Sequence, residues 1–114
     1  MTVKTNIEKE ANYGNFCELF GVNPRNIILE FFLEMRDLDF AISDVAEETG
    51  LNRATTYNTI EELIEKKYFV PTRKIAGAQL YKLNKEKSEV KLLIKIFNLV
   101  LDKTLEKSAK KVVN

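Results

Sequence analysis

The stretch Ile42–Thr59, ISDVAEETGLNRATTYNT, constrains the fold of this chain more than any other. It reads as two short helices joined by a tight turn at Thr49-Gly50-Leu51. Ser43 is placed to cap the first helix, Asp44–Thr49, and Asp44, Glu47 and Glu48 suit the positive end of its dipole. Gly50 follows directly, where a left-handed residue is favoured. Ala46 is small enough for the two helices to approach closely, and Val45 and Leu51 pin them to a core. Asn52 then caps a second helix over Arg53–Lys67, with Thr56, Ile60, Leu63 and Ile64 on its inner face.

The flanks supply what such a pair packs against. Ile7–Phe20 is expected to hold a helix interrupted near Gly14, with Phe16, Leu19 and Phe20 on its apolar face. Gly21-Val22-Asn23-Pro24 breaks the chain, with Asn23 as cap and Pro24 at the first position of the next helix. Over Asn23–Arg36, the recurrence of Ile27, Ile28, Phe31, Phe32 and Met35 predicts an amphipathic helix. Asp37-Leu38-Asp39 ends it, and Phe40-Ala41-Ile42 reads as a short extended segment. Beyond the helix pair, Tyr68-Phe69-Val70 begins a strand, Ile75–Ala78 turns, and Gln79–Leu83 alternates like a second strand. Pro71 places the first of these strands at an edge. Lys85–Val113 reads as one long helix with a stripe of Val90, Leu93, Ile94, Phe97, Val100, Leu101 and Leu105. Such a stripe must be buried, and pairing with a second copy is the favoured way, with help from Phe16 and Phe20.

Composition closes off several functions. The chain has 114 residues, 45% of them apolar, which suits one domain with a modest core. It has no histidine and one cysteine, which argues against zinc fingers and histidine-based triads, and no cofactor or metal is implied. Cys17, among Phe16, Leu19 and Phe20, reads as a small buried apolar residue rather than a redox sensor. There is no phosphate-binding glycine loop and no evident carboxylate pair, so an enzyme is not expected. No stretch is apolar enough to span a membrane and no signal peptide is seen, so a cytoplasmic protein is expected.

The net charge of +1 hides a polarity: residues 1–65 hold 5 Lys/Arg against 13 Asp/Glu, and residues 66–114 hold 13 against 4. A basic half of this kind suits an anionic partner or a solvated lysine-rich helix, and the lysines of 107–111 read as a solvated helix end. The first turn of Arg53–Lys67 carries N–H groups that attract phosphate. Arg can bond guanine edges bidentately and Asn adenine edges.

The leading amphipathic helix, the core AEETGLNRATTY, the helix end LIEKKYFV and the hairpin closing on Leu80-Tyr81-Lys82-Leu83 together resemble the winged helix-turn-helix domains of prokaryotic transcription regulators. The resemblance is to the MarR-, ArsR- and TrmB-type group, the Lys/Ile/Glu-rich composition pointing to an archaeal member, and it covers roughly Asn23–Asn84. It implies a mainly α fold with a small β-hairpin, divided into an N-terminal extension and helix (1–22), the winged domain (23–84) and a C-terminal dimerisation helix (85–114). In that group the second helix reads the major groove of double-stranded DNA and the hairpin, or wing, touches the adjacent backbone or minor groove. The matching residues for the major groove are Asn52, Arg53, Thr55, Tyr57 and Asn58. For the wing they are Arg73, Lys74 and Gln79, flanking the tip at Ala76-Gly77. Two positions depart from the pattern: Thr56 stands where Val or Ile is usual, and Lys67-Tyr68 replaces the usual glycine before the wing.

A homodimer would set two reading helices about 34 Å apart, matching a palindromic site. Two other readings share these residues. One is an architectural or partition protein that coats DNA with little specificity, and the other is a winged-helix adaptor that binds protein. A small-molecule effector is left unassigned, because core packing explains Phe16, Phe20 and Phe97 as well as a ligand cavity would.

Overall fold

The computed structural model describes residues 13–113, with side chains described through Leu101. The elements are α1 (Asn15–Phe20), α2 (Pro24–Glu34), β1 (Phe40–Ala41), α3 (Ile42–Thr49), α4 (Arg53–Glu65), β2 (Phe69–Ile75), β3 (Ala78–Leu83) and α5 (Ser88–Val113). The expected N-terminal helix is seen as α1, with Gly14 as its cap; the rest of it, over residues 7–12, lies outside the described residues.

Asn23 and Pro24 start α2 as expected, the Asn23 side chain accepting from the Asn26 N–H at 2.9 Å. The helix departs from an amphipathic pattern. Ile27–Leu33 is buried without interruption, including Leu29, Glu30 and Leu33, while Met35 is exposed. The reason is that α2 is surrounded: α1, α3, α4, α5 and β3 all lie against it. Its buried carboxylate is satisfied from outside the helix. Glu30 accepts from the Gly14 N–H at 2.7 Å and the Cys17 N–H at 3.2 Å, and so caps the start of α1 from the middle of the domain. Phe16 joins the core, but Leu19 and Phe20 stay exposed at the end of α1.

Ser43 is not a cap. The helix starts two residues earlier at Ile42, straight off the two-residue strand β1, with Ala41 at the cap position and no side-chain bond there. That strand extends the expected hairpin to three antiparallel strands in the order β1-β3-β2, with Phe40 opposite Tyr81 and Ala41 opposite Leu80. Pro71 accordingly lies on an edge strand, where its missing N–H costs no ladder bond on the open side. The Phe32 and Phe69 rings, 4.2 Å apart, tie the sheet to α2.

The junction from α4 to the wing shows how the chain manages without the usual glycine. Lys67 itself takes a left-handed conformation, φ 69°. The Lys67 N–H then bonds the Ile64 carbonyl and the Tyr68 N–H bonds the Leu63 carbonyl, both at 2.9 Å, which is the paired closure of a Schellman motif. Asn84 secures the other side, its side-chain amide donating to the Lys67 carbonyl at 2.8 Å.

Two outcomes test this packing. Lys67→Gly removes a side chain from a left-handed position and should raise stability by about 1 kcal/mol, read as a rise of roughly 4–8 °C in the thermal midpoint. Cys17 is fully buried, and burial, then the charge and hydrogen bond of Glu30, push its thiol up to about 12. At pH 8 it should resist an aromatic disulfide reagent in the native protein and react at once in guanidinium, since the folded state holds on the order of a thousandfold fewer thiolates.

Candidate nucleic-acid interface

The turn between α3 and α4 sets the orientation of the outward helix. Gly50 sits at φ 75°, closing α3 through its N–H to the Ala46 carbonyl at 3.0 Å. The buried Thr49 hydroxyl donates to the Val45 carbonyl at 2.7 Å and accepts from the Leu51 N–H at 3.4 Å, so the turn carries its own polar closure. Asn52 caps α4, its Oδ1 accepting from the Thr55 N–H at 3.2 Å. Thr56 is wholly buried, and its hydroxyl donates to the Asn52 carbonyl at 2.8 Å. That bond explains why threonine serves where a branched aliphatic residue is usual: the shape is kept and the hydroxyl is satisfied locally.

With Thr56, Ile60 and Leu63 inward, the exposed face of α4 starts with Arg53, Ala54, Tyr57 and Asn58 and continues into Glu61 and Glu65. Asn52, Arg53, Tyr57 and Asn58 are thus together on open surface at the first turns. Thr55 is half-buried and contributes chiefly its backbone N–H to the cap. Ala54 occupies the open position instead, a small side chain that admits close approach. Arg53 makes no ion pair among the described residues, whereas Arg25 and Lys66 both lie against Glu62, at 3.5 and 3.6 Å.

The wing is more structured than a plain hairpin. Its tip is a two-residue turn with positive φ at both Ala76 (50°) and Gly77 (83°), the geometry that matches strand twist. Phe69, Val70 and Pro71 pair with Leu83, Lys82 and Tyr81, and then the register slips, so that Lys74 and Ile75 pair with Gln79 and Ala78. Thr72 and Arg73 therefore oppose Leu80 alone, which is a β-bulge. Gln79 closes it, donating to the Arg73 and Leu80 carbonyls at 3.1 and 3.0 Å. Gln79 is thus drawn into the wing itself, Lys74 stands exposed with no ion pair among the described residues, and Arg73 is held by Asp39. Arg73 Nε and Nη2 donate to Asp39 Oδ2 and Oδ1 at 2.9 and 3.1 Å, and Thr72 donates to the same carboxylate at 2.6 Å. These bonds, the arginine's first, hold Asp39 down to about 2. Because that lies below the ordinary carboxylate value, the pair's contribution to stability is complete above roughly pH 4 and is lost as pH falls towards 2. Asp39 was not legible in the sequence, where Asp37-Leu38-Asp39 reads only as a helix end.

The C-terminal stripe divides. Val90 is fully buried in this chain's own core, so it is not available to a second copy. Leu93, Ile94 and Phe97 pack partly on that core, Val100 is half-buried, and Leu101 is exposed; Leu105 lies outside the residues whose side chains are described. Arg36 covers Phe97, its guanidinium carbon 5.7 Å from the ring centre. Phe97 and Phe16 line one small cavity, while Phe20 lines a different groove with Phe16. A different line of α5 runs at helical spacing through Leu92 and Leu99, both exposed, with Ile96 half-buried between them. Leu92 and Ile96 line a groove of about 490 Å³ with Phe16, Phe20 and Leu29.

Solved structures with this arrangement are transcription regulators. Over 86% of this chain and 84% of its own, a possible transcriptional regulator from Methanosarcina mazei Go1 superposes with a TM-score of 0.54 at 18% identity. MepR, a transcription regulator of the Staphylococcus aureus multidrug efflux pump MepA, gives 0.59 at 13% identity over 96% and 79% of the two chains. Adhesin competence repressor (AdcR) from Streptococcus pyogenes gives 0.57 at 14% identity over 97% and 75%. The chain has the winged helix-turn-helix fold. No family profile matches it and no curated relative does. A MepR variant bound to an oligodeoxyribonucleotide superposes equally well, with a TM-score of 0.57 at 12% identity over 96% and 76% of the chains. Among the described residues no helix is long and apolar enough to cross a membrane.

The cap generates a prediction. Asn52→Ala should cost about 1 kcal/mol and Asn52→Gly only a few tenths, measured by thermal or urea unfolding. Equal losses for the two would show that Asn52 does not act through the cap.

Proposed function

We propose that this chain is a homodimeric transcription regulator of the cytoplasm that binds double-stranded DNA with sequence specificity. The observation that carries the reading is the open first turns of α4. Asn52, Arg53, Tyr57 and Asn58 stand there on one exposed surface, the arginine without an ion pair among the described residues, on the same fold as a regulator bound to an oligodeoxyribonucleotide. In this reading α4 enters the major groove and the wing, with Arg73 and Lys74, lies on the backbone or minor groove. Arg53 and Asn58 supply base contacts, and Arg73 and Lys74 supply phosphate contacts that fix position. Glu61 and Glu65 keep the far end of α4 off the phosphates.

The exposed Leu92 and Leu99, with the half-buried Ile96 between them and the groove beside it, support pairing of two copies through α5, with Phe20 at its margin. Leu93, Ile94 and Phe97 then lie on the side of the domain core, with Val100 half-buried and Leu101 exposed beyond them. Pairing makes the second half-site an intramolecular event and so raises affinity without new contacts.

One observation favours a second reading. Asp44, Glu47, Glu48, Glu61 and Glu65 are exposed on α3 and α4, an acidic surface that suits a basic protein partner and a winged-helix adaptor role.

Selection of duplexes from a random pool, with stoichiometry measured on the complex, tests both. The expected result is a palindromic site holding two chains. Arg53→Ala should weaken binding by about tenfold or more and relax preference at one base pair of each half-site. Equal binding to every duplex, with a footprint that spreads, would mean an architectural protein instead. No shift of any duplex at low salt would overturn DNA binding and leave the adaptor.

A further inference from the structure

The wing contains a charged assembly that the fold does not need for its core. Asp39 lies just before β1, and Arg73 lies on β2, with β3 between them in the sheet. The arginine therefore reaches across a whole strand, at a strand spacing of about 4.8 Å, to meet the carboxylate. It does so from the bulge, where Thr72 and Arg73 oppose Leu80 alone, and both bulge residues bond the same acid. The pairing is unequal in exposure. The Asp39 side chain is 16% exposed and the Arg73 side chain 64%. Both carboxylate oxygens are covered, so the acid presents little charge outward. Only two of the five N–H donors of the guanidinium are engaged, one Nε and one Nη2, and the rest lie on its other edge.

We infer that Asp39 is a positioning residue: it holds Arg73 side-on at the wing bulge so that the outer guanidinium edge meets a backbone phosphate of duplex DNA. This rests on the DNA-binding reading above and adds a residue that does not itself touch DNA. A planar, fork-shaped donor set matches a phosphate bidentately only if its plane is fixed, and a free arginine side chain carries rotamer entropy that must be lost on binding. Asp39 removes that loss in advance. Thr72 fixes the carboxylate in turn, and Gln79 fixes the bulge carbonyl of Arg73 itself. The wing thus offers a pre-set cation, Arg73, beside Lys74, which is exposed and makes no ion pair among the described residues.

The test is a double-mutant cycle on the full chain, titrated into the selected duplex and followed by fluorescence anisotropy over a range of salt. Arg73→Ala should weaken binding and reduce the magnitude of the slope of log K against log salt by about 0.9, one phosphate contact. Asp39→Asn is nearly isosteric and makes the protein one charge more positive, so simple charge would tighten binding. The expected result is the opposite, a loss of about three- to tenfold. In the Arg73→Ala background, Asp39→Asn should have no further effect. Unchanged or tighter binding by Asp39→Asn alone would mean that the acid masks the arginine, and would overturn the proposal. An equal loss in both backgrounds would mean a general effect on the wing, and would overturn it too. Failure of the unsubstituted protein to bind any duplex would instead remove the DNA-binding reading, and this proposal with it.

Discussion

Ile27–Leu33 of α2 is buried without a break, and the placement of every surface element follows from what surrounds that helix. On one side α4 lies against it and turns its first residues outward. On another, Phe32 stacks on Phe69 and so fixes where the wing leaves the domain. Phe40 packs against both Phe31 and Phe32, which brings β1, and with it Asp39, up to the hairpin. A helix enclosed on all sides ordinarily excludes charge. Glu30 is tolerated because it receives two N–H groups from the start of α1, and the same bonds hold that short helix in place. Burial and the nearby Glu30 charge also raise the pKa of Glu34 one turn on.

How much of this was legible in the sequence depends on the range of the interaction. Caps and turns are local, so Asn23-Pro24, Gly50 and Asn52 could be placed from residue type alone, and the fold class came with them. Features that depend on distant segments could not be placed so. Leu29 and Leu33 look like the outer face of an amphipathic helix until α1 and α5 cover them. Ser43 looks like a cap until β1 is paired to β3 and the helix starts two residues early. Val90 looks like part of a dimer stripe, because periodicity reports that a face is apolar and not which surface buries it. In the candidate site, α4 was legible as an exposed face. The wing was legible only as a hairpin with basic residues, since its bulge depends on register and its acid lies 34 residues from the arginine it holds.

The division of charge along the chain has a structural counterpart. The basic excess from residue 66 onward is not uniformly available: Lys66, Arg73, Lys85 and Lys87 each lie against a carboxylate. Around α3 and α4, by contrast, the exposed carboxylates outnumber the bases and Arg53 stands among them. A uniform field of attraction is therefore absent, and approach of an anionic partner depends on orientation.

The bulge at Thr72-Arg73 absorbs one residue without turning the wing over. β3 runs unbroken from Ala78 to Leu83, and residues paired across two strands share a face, so Lys74 keeps the face of Gln79 and Ile75 that of Ala78 whether β2 carries two residues or one opposite Leu80. What the extra residue changes is local: it bends and twists the edge strand and sets Thr72 and Arg73 where both reach Asp39. Deleting one of them would leave the strands, the turn and the facing of the tip as they are, but would straighten β2 and remove that meeting. The bend of the wing is thus held in a residue count, while its faces are held by β3.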